Sequence, residues 1–264
     1  MHSYAKKSFG QHFLTNEPLA GRIADALNSF GEIKNVLEVG PGRGMLSKYL
    51  IRKYPNLTMV DADKDMIELL RQDELYSSAQ ILFSDFLKLD LRNLFAGEPL
   101  YIIGNFPYNI SSQIVIKMIE NRDIVPGLVG MFQKEMAERI AHEPGSKEYG
   151  AISVLTQAYY QVEYLFTVKE GNFNPPPKVK SAVLRCVRRP DPHLDCDEHL
   201  FRTIVKACFN FKRKMIRNAL KPWLSPEILK DPYYEQRPEQ LSVSEFVKIT
   251  QSVQSNAPLK IDPR

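Results

Sequence analysis

The chain has 264 residues, of which 44% are hydrophobic and 25% charged, and its formal net charge is +4. Those proportions are ordinary for a globular protein and exclude disordered, collagen-like and coiled-coil chains, while the length suits a domain of about 190 residues plus a smaller one. No stretch approaches the run of about 18 apolar residues that a membrane helix needs, and residues 1–16 lack the apolar segment of a secretion signal. The expectation is a cytoplasmic protein with no membrane partner. The cysteines Cys186, Cys196 and Cys208 form no CxxC pair and are read as reduced thiols, with no metal site.

In chain order, short β-rich apolar runs at 35–39, 57–61, 79–83, 100–104 and 127–132 alternate with amphipathic helical stretches. That alternation predicts a mostly parallel sheet with helices on both faces. A helical segment at 151–161 follows, then strand candidates at 163–168 and 181–187 that would add antiparallel edge strands. Between these two lies Gly171-Asn172-Phe173-Asn174-Pro175-Pro176-Pro177, a stiff loop that neither helix nor central strand accommodates. Residues 188–198, with Pro190 and Pro192 among charges of mixed sign, read as a linker. The domains are therefore expected at 1–190 and 196–264, the second all-helical.

The positive charge sits in that second part, since residues 1–187 carry 21 basic and 21 acidic side chains and residues 188–264 carry 14 and 10. Phe201, Ile204, Val205 and Cys208 fall at i, i+3, i+4 and i+7, the buried face of a helix. If that helix ran unbroken, Arg202, Lys206, Arg213 and Arg217 would form a ridge about 60° wide. Residues 209–212 are its weak point, where two helices could meet. Seven Lys or Arg and no acid between 199 and 221 favour a nucleic-acid partner over an ordinary solvated face.

The strongest chemical signal is Glu38-Val39-Gly40-Pro41-Gly42-Arg43-Gly44, at the end of the first sheet strand and the start of a helix. Glycines there permit a tight turn and close approach of a ligand to the backbone. A dinucleotide fingerprint would need glycine where Met45 stands, so the nicotinamide reading loses its third glycine. The loop instead resembles the first motif of S-adenosylmethionine-dependent methyltransferases, in which an acid two residues before the first glycine is common. Glu38 would face the cofactor's ammonium group, and Gly40 and Gly42 would lie against it. Asp61, 21 residues after Gly40, could accept hydrogen bonds from both ribose hydroxyls. By the same resemblance Asp85, with Phe86, would meet the adenine.

Asn105-Phe106-Pro107-Tyr108, at the end of the fourth sheet strand, resembles the [NDS]-P-P-[YF] motif of amino-directed methyltransferases. An exocyclic adenine amine is a poor nucleophile because its lone pair is delocalised into the ring. Hydrogen bonds from its two protons to Asn105 Oδ1 and the Pro107 carbonyl would favour a pyramidal nitrogen. Tyr108 offers a stacking face, a contact of about 1–3 kcal/mol, against the few kcal/mol needed to flip a base out.

Together with Lys7-Ser8-Phe9-Gly10-Gln11-His12-Phe13-Leu14, Gln133-Lys134-Glu135, the stretch from Phe173 to Val183 and the stretch from Phe209 to Asn218, these motifs resemble, over nearly the whole chain, the KsgA/RsmA family of ribosomal RNA adenine N6,N6-dimethyltransferases, related to the Erm enzymes. The resemblance implies a Rossmann-like methyltransferase domain with a small helical RNA-binding domain. It implies that His12 and Leu14 border the methionine end of S-adenosylmethionine and that Phe173 closes on the base opposite Tyr108. His12 stands where Asn is common, and Phe106 where Leu is. The implied function is dimethylation of two adjacent adenosines near the 3′ end of 16S ribosomal RNA, on the small subunit or its precursor, by a monomer. Its rivals are an Erm-like enzyme acting on large-subunit RNA, a DNA adenine methyltransferase and a non-catalytic RNA-binding assembly factor.

Overall fold

The computed structural model describes residues 11–210 and 214–256. Lys7 to Gly10 and, in the basic region, Lys212 and Arg213 lie outside them. The contacts divide the chain into two units, Met1–Glu138 with Tyr160–Arg189, and Arg139–Tyr159 with Pro190–Arg264. The sequence suggested a single cut near residue 190; in the structure Arg139–Tyr159 groups with the C-terminal helices.

The first unit opens with a two-residue strand, β1 (Phe13–Leu14), and helix α1 (Glu17–Asp25). Asn16 caps α1 by accepting the Leu19 N–H at 2.9 Å. Next come β2 (Asn35–Val39), α2 (Ser47–Leu50), β3 (Asn56–Asp61), α3 (Lys64–Gln72), β4 (Gln80–Phe83), α4 (Leu91–Leu94), β5 (Leu100–Asn105), α5 (Ser111–Glu120) and β6 (Gly127–Gln133). α6 (Lys134–Ala141) and α7 (Ala151–Gln157) lead to β7 (Tyr160–Val168), the short β8 (Phe173–Asn174) and β9 (Ser181–Arg188).

Seven strands form one sheet in the order β4-β3-β2-β5-β6-β9-β7. The first five run parallel, and β9 is antiparallel to both its neighbours. All five residues of β2 are buried, as a strand covered by helices on both faces requires. Chain order reverses between β2 and β5, so their carboxyl ends open a crevice where loops on either side diverge. The expectation of two antiparallel edge strands holds for β9's direction and not for its place. Ala182, Val183, Leu184 and Cys186 are buried, and such a strand gains by lying between partners. β7, in which only Tyr160 and Val168 at its two ends are buried, takes the edge.

Close packing fixes the end of β5. The Phe106 ring is buried and meets Phe132 edge-on at 5.2 Å. A Cβ on Gly130, in mid-β6, would collide with that ring, and one on Gly104 would collide with the Val39 carbonyl oxygen.

The second unit is helical, with α7, α8 (Glu198–Asn210), α9 (Ile216–Leu220) and α10 (Val243–Asn256). The predicted face of α8 is its buried face, as Phe201, Ile204, Val205 and Cys208 are all in the core with Phe246, Ile249 and Val253 of α10. α8 ends at Asn210, and Met215, with φ −61° and ψ 146°, starts α9 from extended backbone. The ridge that the sequence drew on one helix is divided between two.

Gly130→Ala forces Phe106 off its seat, and the cost expected for such overpacking is about 1–3 kcal/mol. Urea denaturation measures it; a midpoint equal to that of the wild type contradicts this packing account.

Candidate active site

The loop after β2 turns on Gly40 and Gly42, whose φ values of 71° and 54° are left-handed and strain any residue with a Cβ. At Gly42 a Cβ would also press on the Phe13 ring at 3.0 Å. The turn leaves a cavity of about 310 Å³ at the carboxyl ends of β2, β3 and β5, sized for a small-molecule ligand. Of the residues expected in the site, His12, Gly40, Gly42, Asp61, Asp85, Phe86, Asn105, Pro107 and Tyr108 lie on its wall.

Asp61 ends β3, and its Oδ1 accepts the Asp63 N–H at 2.8 Å. Burial raises its pKa above the usual carboxylate value, opposed by N–H groups of Asp63, Gly42 and Ala62. The cap of α3 is Asp63, which accepts from Asp65 N at 3.1 Å and from Gln11 Nε2 at 2.8 Å. Asp61 is thus not spent as a helix cap. Asp85 Oδ1 accepts the Leu87 N–H at 2.9 Å, so one oxygen holds the turn at Phe86–Lys88.

Asn105 Nδ2 donates to the His12 carbonyl at 2.9 Å. A carbonyl can only accept, so the amide's orientation is settled and Oδ1 is left as an acceptor for the cavity. His12 Nδ1 lies 2.9 Å from the Pro175 carbonyl, which by the same argument places the ring proton on Nδ1. The His12 ring stacks on Tyr108 with centroids 5.5 Å apart and planes 28° from parallel. The Pro107 carbonyl accepts the Ile110 N–H at 3.2 Å and retains a second lone pair. The Tyr108 hydroxyl lies 2.7 Å from Ser181 Oγ. Burial raises the Tyr108 pKa, an effect the Ser181 contact opposes.

Three expected residues are not on the wall. Leu14 and Phe173 face each other in the β1–β8 pair and are 6% and 4% exposed, both within the hydrophobic core. Phe173 is covered by its pairing with β1 and is not among the residues that line the cavity. Glu38 is 1% exposed in β2, and its Oε2 finds no hydrogen-bond partner among the described residues. Burial pushes its pKa up to about 8, opposed by the Ser47 hydroxyl and reinforced by the charge of Asp61. In the second unit Arg202 is half-buried and Lys206 exposed on α8, while Arg217 on α9 pairs with Glu235 at 3.0 Å. The stretch from 199 to 221 is free of acids in sequence but not in space, because Glu235 reaches Arg217. Gln11 and Ser181 were not singled out. Both lie inside quoted motifs, but a lone glutamine or serine carries no periodicity that would distinguish it.

The sequence pattern of the family described as "Ribosomal RNA adenine dimethylase" matches residues 2–255. The chain is 51% identical over 253 residues to ribosomal RNA small subunit methyltransferase A of Bacteroides thetaiotaomicron, covering 94% of each chain. It is 48% identical to the protein of that name in Flavobacterium johnsoniae, covering 96% of this chain and 97% of that one. Among solved structures, a dimethyladenosine transferase from Plasmodium falciparum superposes with a TM-score of 0.77 at 24% identity, over 93% of this chain and 98% of that one. The 23S rRNA methyltransferase ErmE superposes with 0.66 at 25% identity, over 90% of this chain and 99% of that one.

Glu38 gives the site a pH signature. Its carboxyl titrates near 4.5 when solvated and about 8 in the fold, so around neutrality the native state holds a proton that the unfolded chain has lost. Its contribution is complete below the lower value and is lost as pH rises through the upper one. Glu38→Gln, neutral throughout, is expected to gain urea stability relative to the wild type between pH 5 and 9; a difference independent of pH contradicts this.

Proposed function

Because the chain belongs to the ribosomal RNA adenine dimethylase family, we propose that it uses S-adenosylmethionine to methylate the N6 amines of two adjacent adenosines near the 3′ end of small-subunit ribosomal RNA, each to dimethyladenosine. The observation that carries the reading is the orientation of Asn105, whose donor end is taken by the His12 carbonyl and whose acceptor end remains for the substrate amine.

The walls suit the cofactor. Gly40 and Gly42 bring bare backbone against the cavity, and Asp61 places a carboxylate on it for a ribose diol. Asp85 and Phe86 together present a polar acceptor and an apolar edge of the kind an adenine requires. When bound, S-adenosylmethionine supplies an electrophilic methyl group for in-line displacement. The protein's part is alignment, which accounts for most of the acceleration in reactions of this kind.

Asn105 Oδ1 and the Pro107 carbonyl accept hydrogen bonds from the two N6 N–H groups and turn the nitrogen lone pair out of the ring's π system. Tyr108 holds the flipped base by stacking. After the first transfer one N–H remains, so one acceptor loses its partner and the new methyl group takes its place beside it. The proton shed at each step leaves to water, since no group on the wall is needed as a general base for so acidic a product. Arg202 and Lys206 on α8, with Arg213 and Arg217, provide positive charge for RNA phosphates, and binding of this kind weakens with salt.

Labelled methyl transfer from S-adenosylmethionine to unmodified small subunits, with large subunits and naked RNA alongside, tests the proposal. The expected product is labelled N6,N6-dimethyladenosine confined to small-subunit RNA. Label on the large subunit would instead make the chain Erm-like, and bound RNA without label would make it a non-catalytic factor.

A further inference from the structure

Tyr108 is held at both ends. Its carbonyl oxygen accepts from Ser111 Oγ at 3.1 Å at the start of α5, and its hydroxyl meets Ser181 Oγ at 2.7 Å. Ser181 is fully buried and is the first residue of β9. There it is paired with Gln133 of β6 on one side and Val168 of β7 on the other. The preceding residue is fixed as well, because the Lys180 carbonyl accepts the Lys134 N–H at 2.9 Å. The serine hydroxyl therefore projects from a three-strand junction, one of the least yielding places in a sheet.

The geometry of a tyrosine ring separates two constraints. Rotation about the bond joining Cβ to the ring leaves the hydroxyl where it is, because that oxygen lies on the rotation axis. A hydrogen bond to the hydroxyl thus fixes the direction of the ring's long axis and leaves its tilt open. The tilt is set by the His12 ring stacked beside it, and that ring is itself tied to the Pro175 carbonyl.

We propose that Ser181 is a positioning residue for the methyl acceptor: its hydroxyl fixes the long axis of Tyr108, so that the stacking face is in place before the adenine arrives. The proposal rests on the adenine-methyltransferase reading above. Ser181 is not among the residues that line the cavity, so its effect on the site passes through the Tyr108 hydroxyl. A preorganised face lowers the ordering cost at binding and alignment.

The test is a double-mutant cycle on methyl transfer to unmodified small subunits, using wild type, Ser181→Ala, Tyr108→Phe and the double variant. Wild-type transfer in the same experiment tests the parent reading separately. Loss of one hydrogen bond is expected to lower kcat about five- to tenfold in Ser181→Ala, with the KM for S-adenosylmethionine and the melting temperature close to those of the wild type. The double variant is expected to be no slower than Tyr108→Phe, because both changes remove the same bond. A wild-type kcat in Ser181→Ala, or losses that multiply in the double variant, would overturn the proposal. So would a fall in kcat that is accompanied by an equal loss of cofactor affinity and of thermal stability, since that marks a general structural defect.

Discussion

A single hydrogen bond, from the Asn105 amide to the His12 carbonyl, decides what the cavity presents to a substrate. An amide has one donor end and one acceptor end, and an amine with a delocalised lone pair is helped only by the acceptor. The partner that settles the choice comes from 93 residues away in sequence. It is in place because β1 pairs with β8 and because the Thr15 N–H donates to the Asn172 carbonyl at 2.9 Å. The N-terminal segment, the Pro-rich loop and the end of β5 are thus one hydrogen-bonded assembly, and the proposed chemistry depends on all three.

The sheet supplies the rigidity that this assembly needs. β2 and β5 are neighbours whose connections leave in opposite directions, so the glycine loop and the Asn105-Phe106-Pro107-Tyr108 turn arise side by side without any special contact to recruit them. Phe106 then locks the turn from below by filling the space that Gly104 and Gly130 leave open. Backbone placement comes from strand order and side-chain placement from packing, and the two meet at residues 105–108.

Much of this was legible in the sequence because it is local. Strand-helix alternation follows from periodicity, and the glycine loop and the Asn105 turn announce themselves by residue type and position. What escaped is what depends on partners distant in sequence. β9 reads as an edge strand until its four buried apolar residues are seen to require neighbours on both sides. The family resemblance implies that Phe173 stacks on the base, whereas in the structure its strand pairs with β1 and the residue is buried. Glu38 has the right spacing for a cofactor contact but sits in a strand buried on both faces, and it is not among the residues that line the cavity. Glu235, which answers Arg217, lies 18 residues further on and is invisible to any local charge count.

The most direct measurement of the central claim is the single-turnover rate of methyl transfer by Asn105→Ala at saturating S-adenosylmethionine and saturating small subunits, against the wild type under the same conditions. If the acceptor end of Asn105 prepares the adenine amine, the rate falls by about a hundredfold or more, the scale found when a transition-state hydrogen-bonding group is removed. A rate within a few-fold of the wild type would contradict the account and leave the Asn105 amide a structural tie to the N-terminal segment.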